Sequence, residues 1–160
     1  MQKYVIVIPF DASIENTLVI HKNRGPSGVK NKINFVGGKV EHLEDVACAA
    51  VREFSEECGI DIGVNLLHQL SVATDDINYH ITAYVTLLNN HDLCTATSMT
   101  DEPVEITSIA VLKHDMGKNK SAYASGFEYL LDDAIHLARG LTKNLVPFSS
   151  GVNSTNTDLC

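Results

Sequence analysis

The sequence predicts a single α/β domain, and three observations carry that expectation. Short β-branched runs recur along the chain, and two longer segments space apolar residues three and four apart. At 160 residues, 44% hydrophobic and 20% charged, the chain can bury a full core without disulfides or a structural metal. Residues 1–148 are expected to form the domain, and residues 149–160, rich in Ser, Asn and Thr, a disordered polar tail.

Taken in order, residues 4–10 and 17–21 read as two strands of a hairpin turned at residues 11–16. Residues 21–32 (HKNRGPSGVKNK) mix Lys and Arg with Gly, Pro and Asn, which predicts an exposed basic loop. A short strand at 33–36 runs into Gly37 and Gly38. From Asp45, the residues Ala47, Ala50, Val51, Phe54 and Cys58 recur at helical spacing, and Gly59 follows as a helix terminator. Residues 66–73 and 79–88 read as strands joined by a turn at 74–78, and 104–112 as a further strand after a polar loop at 91–103. The second helix is expected at 121–141, through Tyr123, Phe127, Leu131, Ala134 and Ala138, with Gly140 near its end.

Charge and cysteine usage narrow the function. A net charge of −8 repels polyphosphate backbones, so no nucleic-acid polymer is an expected partner. The cysteines, Cys48, Cys58, Cys94 and Cys160, are widely spread with no zinc-like spacing, which suits a reduced cytoplasmic chain. The apolar run at residues 4–10 contains Pro9 and leads straight into Asp11, so it suits a buried strand rather than a signal peptide, and no run is long enough to span a membrane.

The stretch from Gly37 to Ile60 crowds carboxylates onto a helix. On a helical wheel Glu53, Glu56 and Glu57 fall within an arc of about 100°. Like charges at these spacings cost a few tenths of a kcal/mol per pair, and the helix C-terminus disfavours them further. Helix propensity does not explain the pattern, whereas a hard divalent cation such as Mg²⁺ or Mn²⁺, which prefers oxygen ligands and shares itself with phosphates, would. Gly37 and Gly38 allow close backbone approach, Lys39 adds a positive charge beside them, and Arg52 can pair with Glu56 or fix Glu53. A solvated acidic face is the plain alternative.

The order and spacing decide against that alternative. Gly38, Glu44, Arg52, Glu53, Phe54, Glu56, Glu57, Gly59 and Ile60 fit G-x5-E-x7-R-E-U-x-E-E-x-G-U, where U is apolar, at every specified position. In this the chain resembles the Nudix hydrolases. The resemblance implies a Nudix-type α/β/α sandwich with a mixed sheet and a catalytic loop-helix-loop. It also implies Mg²⁺-dependent hydrolysis, by water, of a nucleoside diphosphate linked to another group. Carried over by residue, Glu53, Glu56 and Glu57 would bind the metal with the Gly38 carbonyl, Glu44 would complete or brace the shell, and Arg52 would orient Glu53. The general base would be a box glutamate or an acid before the last strand, with Asp101, Glu102 and Glu105 as candidates and Glu102 chosen among them. Many members carry Pro and Gly where this chain has Val36 and Leu43.

Asn34-x-x-Gly-Gly-Lys-Val resembles the branch that hydrolyses (deoxy)nucleoside triphosphates, including oxidised purines, to the monophosphate and pyrophosphate. By that likeness Asn34 would read the base, and Lys22, Arg24 or Lys32 would hold phosphates, with Gly37 and Lys39 also facing the substrate. Phe35 would be core or a stacking face for the base, core being the expectation. ADP-ribose, nucleotide sugars or dinucleoside polyphosphates are the alternative substrates, and a catalytically silent nucleotide-binding regulator the alternative class. The expected partner is a small nucleotide, with no membrane and with room for a homodimer. Nothing supports a zinc hydrolase, a serine esterase or a P-loop enzyme, because the chain has no HExxH, GxSxG or GK[ST].

Overall fold

The computed structural model describes residues 1–70 and 79–145, and of Asn144 and Leu145 the backbone only. The chain forms β1 (Gln2–Asp11), β2 (Asn16–Lys22), β3 (Lys32–Asn34), α1 (Val46–Cys58), β4 (His68–Leu70), β5 (Tyr79–Leu88), α2 (Asn90–Cys94), β6 (Val104–Ser108), α3 (Ile109–Lys118) and α4 (Phe127–Leu145). The strands make one mixed sheet in the order β3-β2-β1-β5-β4, with β6 paired to β2. β1 and β5 run parallel from Gln2 opposite Tyr79 to Asp11 opposite Leu88, and the remaining pairs are antiparallel.

The predicted hairpin forms, and a side chain shapes its turn. The Asp11 carboxylate accepts the backbone N–H groups of Glu15 (2.8 Å) and Asn16 (3.1 Å), replacing main-chain partners that a tight turn cannot supply. β1 meets β2 only at this end, with Phe10 opposite Thr17. Farther along, the free edge of β1 is taken by the glycine loop: Val7 N–H donates to Val36 O (2.8 Å), Val5 N–H to Gly38 O (2.9 Å), and Val40 N–H to Lys3 O (3.0 Å). The loop is therefore stitched into the sheet.

Strand alternation sends successive residues to opposite cores. Val5, Val7, Leu18 and Ile20 pack with Ala50, Phe54 and Cys58 of α1 on one face. Ile6, Ile8, Phe10 and Val19 pack with Leu112 of α3 and with Phe127, Leu131 and Ala138 of α4 on the other. This is the expected α/β/α sandwich. Phe35 belongs to the second face: it is fully buried and stacks on Phe127 with ring centroids 4.3 Å apart, an arrangement that adds about 0.5–1.5 kcal/mol beyond area burial. It is core, and no base reaches its face.

Four expectations need correcting. The polar stretch at 91–103 contains α2, because Asn89 caps it by accepting Asp92 N–H at 2.8 Å. The apolar run at 104–112 divides into β6 and the start of α3, where Ser108 accepts Val111 N–H at 3.2 Å and turns the chain into a helix. A short apolar run does not by itself distinguish strand from helix. The last helix starts at Phe127, after a 3-10 turn at Lys120–Ala122, and Gly140 lies inside it rather than at its end. The strand expected at 66–73 is described only as β4, preceded by a 3-10 turn at Val64–Leu66. Residues 71–73 of that expected strand, the turn at 74–78 and the tail at 149–160 lie outside the described residues.

Candidate active site

Two caps fix α1, and with it the direction of its glutamates. Asp45 accepts the N–H groups of Ala47 (2.9 Å) and Cys48 (3.1 Å), while Gly59, left-handed at φ 72°, donates its N–H to Ser55 O at 2.9 Å. Ala49, Ala50, Phe54 and Cys58 then lie against the sheet, and Glu53 and Glu57 point along its margin to the glycine loop.

Arg52 organises the upper half of the site. Its Nε and Nη2 grip both oxygens of Glu44 (2.8 and 3.0 Å), its Nη1 donates to Glu53 (2.8 Å) and Glu56 (2.9 Å), and Nη2 also reaches Lys39 O (3.1 Å). The planar guanidinium suits such a fork, which a lysine would not reproduce. These bonds, aided by the Glu41 N–H, hold the Glu44 carboxyl down to about 2. Glu53 responds in the opposite sense: burial pushes its carboxyl up from 4.5, with Glu56 adding to the rise and Arg52 opposing it.

The glycine pair meets two different constraints. A Cβ at Gly38 would run into the Glu53 carboxylate, so the missing side chain is what lets that carboxylate lie on the loop. Gly37 has φ 152°, and a Cβ there would strike the Val5 carbonyl. Its N–H donates to Glu57 Oε2 at 2.9 Å. Because alternate carbonyls of the loop turn toward β1, Gly38 O is engaged by Val5, and Gly37 O faces the acidic cluster instead. Gly37 O accepts from Lys22 Nζ at 3.1 Å.

Lys22 supplies the lower half. Its Nζ contacts Glu57 Oε1 and lies 3.1 Å from both Glu102 Oε2 and Gly37 O. Glu102 is buried, and its other oxygen accepts the N–H groups of Asn23 (2.8 Å) and Arg24 (3.1 Å). Burial pushes the Glu57 carboxyl up, against the pull of Lys22 and of the Gly37 N–H. Lys22 is therefore no solvated loop charge: it ends β2, and alternation with Leu18 and Ile20 turns it to the α1 face. That alternation was the signal in the sequence that could have placed it.

The other candidates separate. Arg24 is exposed and pairs with Asp101, Glu105 is exposed and contacts His21 at 3.0 Å, and only Glu102 of the three acids joins the cluster. Asn34 is buried opposite Ile20 of β2. The Lys39 side chain is exposed, and Lys32 is held by Ser121 O. Beside the cluster a groove of about 370 Å³ opens between His21, Lys22, Asn23, Lys32, Ile33 and Pro103. Leu43, where many Nudix members have Gly, stands 92% exposed at φ 64°, a backbone conformation that glycine adopts more easily.

Among the described residues no helix is long and apolar enough to cross a membrane. The NUDIX domain family model matches residues 2–120. No curated protein sequence matches significantly. Among solved structures, the chain is similar to MutT from a study of Aliivibrio salmonicida and Vibrio cholerae, at 21% identity and TM-score 0.55, over 71% of this chain and 84% of that one. It is similar to a MutT/nudix family protein of Enterococcus faecalis at 18% identity and TM-score 0.53, over 67% of this chain but only 43% of that one. The NUDIX domain of Shewanella oneidensis NrtR, complexed with ADP ribose, aligns at 13% identity and TM-score 0.61, over 84% and 86% of the two chains. The acid-bearing helix, the glycine loop stitched to β1 and the family match agree, and the chain belongs to the Nudix family of hydrolases acting on phosphoric anhydride bonds.

Proposed function

We propose that the chain hydrolyses a (deoxy)nucleoside triphosphate, including oxidised forms, to the monophosphate and pyrophosphate, with Mg²⁺ or Mn²⁺ as cofactor. The observation that carries this reading is a charge surplus. Glu44, Glu53, Glu56, Glu57 and Glu102 share two cations, Arg52 and Lys22, so the cluster keeps a net charge of −3 when all are ionised. A hard divalent cation fits this donor set of carboxylate and carbonyl oxygens. Among the described residues, no group of three His, Cys, Asp or Glu is arranged as it stands to hold an ion, because Arg52 and Lys22 engage the carboxylates. Glu53, Glu56 and Glu57 would hold the ion, with Glu44 bracing them through Arg52 and a carbonyl of the Gly37-Gly38 pair beside them. When bound, the metal supplies charge neutralisation at the diphosphate and a more acidic water.

The chain's own residues supply the rest. Arg52 leaves Oε2 of Glu53 turned to the loop, which suits Glu53 as a proton acceptor from water; Glu102 is the alternative base. Rigid placement on α1 and the stitched loop provides the positioning that phosphoryl transfer needs. Arg24, Asn34, Gly37 and Lys39 are proposed to face the substrate, with the groove at β2 and β3 taking the nucleoside. Free thiols at Cys48, Cys58 and Cys94 fit a cytoplasmic setting.

Pyrophosphate release from a panel of nucleoside triphosphates, with and without Mg²⁺, tests the proposal. Turnover confined to ADP-ribose, nucleotide sugars or dinucleoside polyphosphates would shift it to the second reading, which the ADP-ribose-bound neighbour favours. Tight binding without turnover would favour a silent regulator.

A further inference from the structure

Lys22 meets more than a salt-bridge partner. An ammonium has three N–H donors, and here two are taken by Gly37 O in the glycine loop and Glu57 Oε1 on α1, while Glu102 Oε2 before β6 pairs with the charge at 3.1 Å. The Lys22 side chain is 12% exposed, Glu57 9% and Glu102 7%, so the ammonium relies mainly on these oxygens to replace its hydration. Two carboxylates and a carbonyl around a buried cation form a cation site, and the occupant is part of the chain. Glu102 extends the arrangement, because its second oxygen holds the N–H groups of Asn23 and Arg24, the first residues of the basic loop.

We propose that Lys22 is a resident counter-cation, a positioning residue that holds Gly37, Glu57 and Glu102 together while no metal is bound and that a divalent ion claiming Glu57 must displace. This rests on the reading that the box glutamates take a divalent cation. Without Lys22 the desolvated carboxylates would repel one another and the site would open. With it, metal loading exchanges one cation for another and loosens the link from the cluster to the basic loop.

The experiment compares the wild-type chain with Lys22→Met by calorimetric titration with Mg²⁺ and by thermal unfolding in EDTA and in saturating Mg²⁺. Removing the competing cation should tighten Mg²⁺ binding at least roughly tenfold. The variant should melt below wild type in EDTA, and Mg²⁺ should close most of that gap. Equal or weaker Mg²⁺ binding, with the same loss of melting temperature in both conditions, would make Lys22 an ordinary structural ion pair. If the wild type itself binds no Mg²⁺ or Mn²⁺, the metal reading falls and takes this inference with it. Should Lys22→Met not fold, NMR of wild-type protein labelled at the lysine Cε carbons gives the answer. The Lys22 signal should move when Mg²⁺ binds, and a signal unmoved at saturation overturns the proposal.

Discussion

Among the contacts between residues 21–24 and 101–105, three set a basic side chain against a carboxylate in very different surroundings. Arg24 and Asp101 pair with side chains 69% and 65% exposed, and His21 and Glu105 touch at the surface, whereas Lys22 and Glu102 lie almost wholly buried. The inner contact alone is continuous with Glu57 and the glycine loop. Neighbours in sequence thus differ in role because the pleat turns one inward and the others to solvent, where ion pairs are screened and worth little.

The largest effect should come from cutting the inner set where it meets the chemistry. Glu57→Gln and Glu56→Gln should each lower kcat by at least about 100-fold while the circular dichroism spectrum is unchanged. Near wild-type turnover in both would remove the site assignment. Next, single substitutions can compare the inner and outer pairs directly. Glu102→Ala should cost about 1–3 kcal/mol in urea unfolding, because it takes one carboxylate from Lys22 and leaves the Asn23 and Arg24 N–H groups without their acceptor. Asp101→Ala, one residue away, should cost less than about 1 kcal/mol. Equal costs would erase the distinction.

A pH titration of stability sharpens the comparison further. Glu53 and Glu57 have carboxyls raised above 4.5 in the folded protein, so the fold binds their protons more tightly than the unfolded chain. Their contribution is present below 4.5 and lost as pH rises through the raised values. Glu44, held to about 2, works in reverse: its contribution is present above 4.5 and lost as pH falls toward 2. The melting temperature in EDTA should therefore decline as pH climbs from 4.5 toward neutrality, and Mg²⁺ should flatten the decline by favouring the ionised forms. A rise over that range in EDTA would show that the inner carboxyls titrate normally. The smallest effect is expected at the outermost pair, where the coupling between Arg24→Ala and Asp101→Ala should stay within about 0.2–1 kcal/mol and vanish in high salt.

The same contrast explains what was legible in the sequence. The box residues announce themselves through spacing alone, and α1 with its Asp45 and Gly59 caps follows from local chemistry. The sandwich was expected through the resemblance that the box carries, and the structure realises it by alternation along β1, β2 and β5, which sets two faces. What was hidden depends on tertiary contact. Asp101, Glu102 and Glu105 are equivalent as letters, and only the packing of residues 21–24 against them selects Glu102. Gly38 O is taken by Val5 and Gly37 O by Lys22 because β1 binds every second residue of the loop, a register that no local pattern reveals. Residues 104–112 were misjudged because a hydroxyl cap at Ser108 outweighs a continuous apolar run.

The stitched loop also bears on redesign. At residue 37 the backbone dihedral and the Val5 carbonyl both refuse a side chain, so a mutant library there would sort proteins by whether they fold, whatever the assay measures. Changing substrate preference without collapsing the scaffold is a task for the rim at residues 25–31, which lies outside the strands.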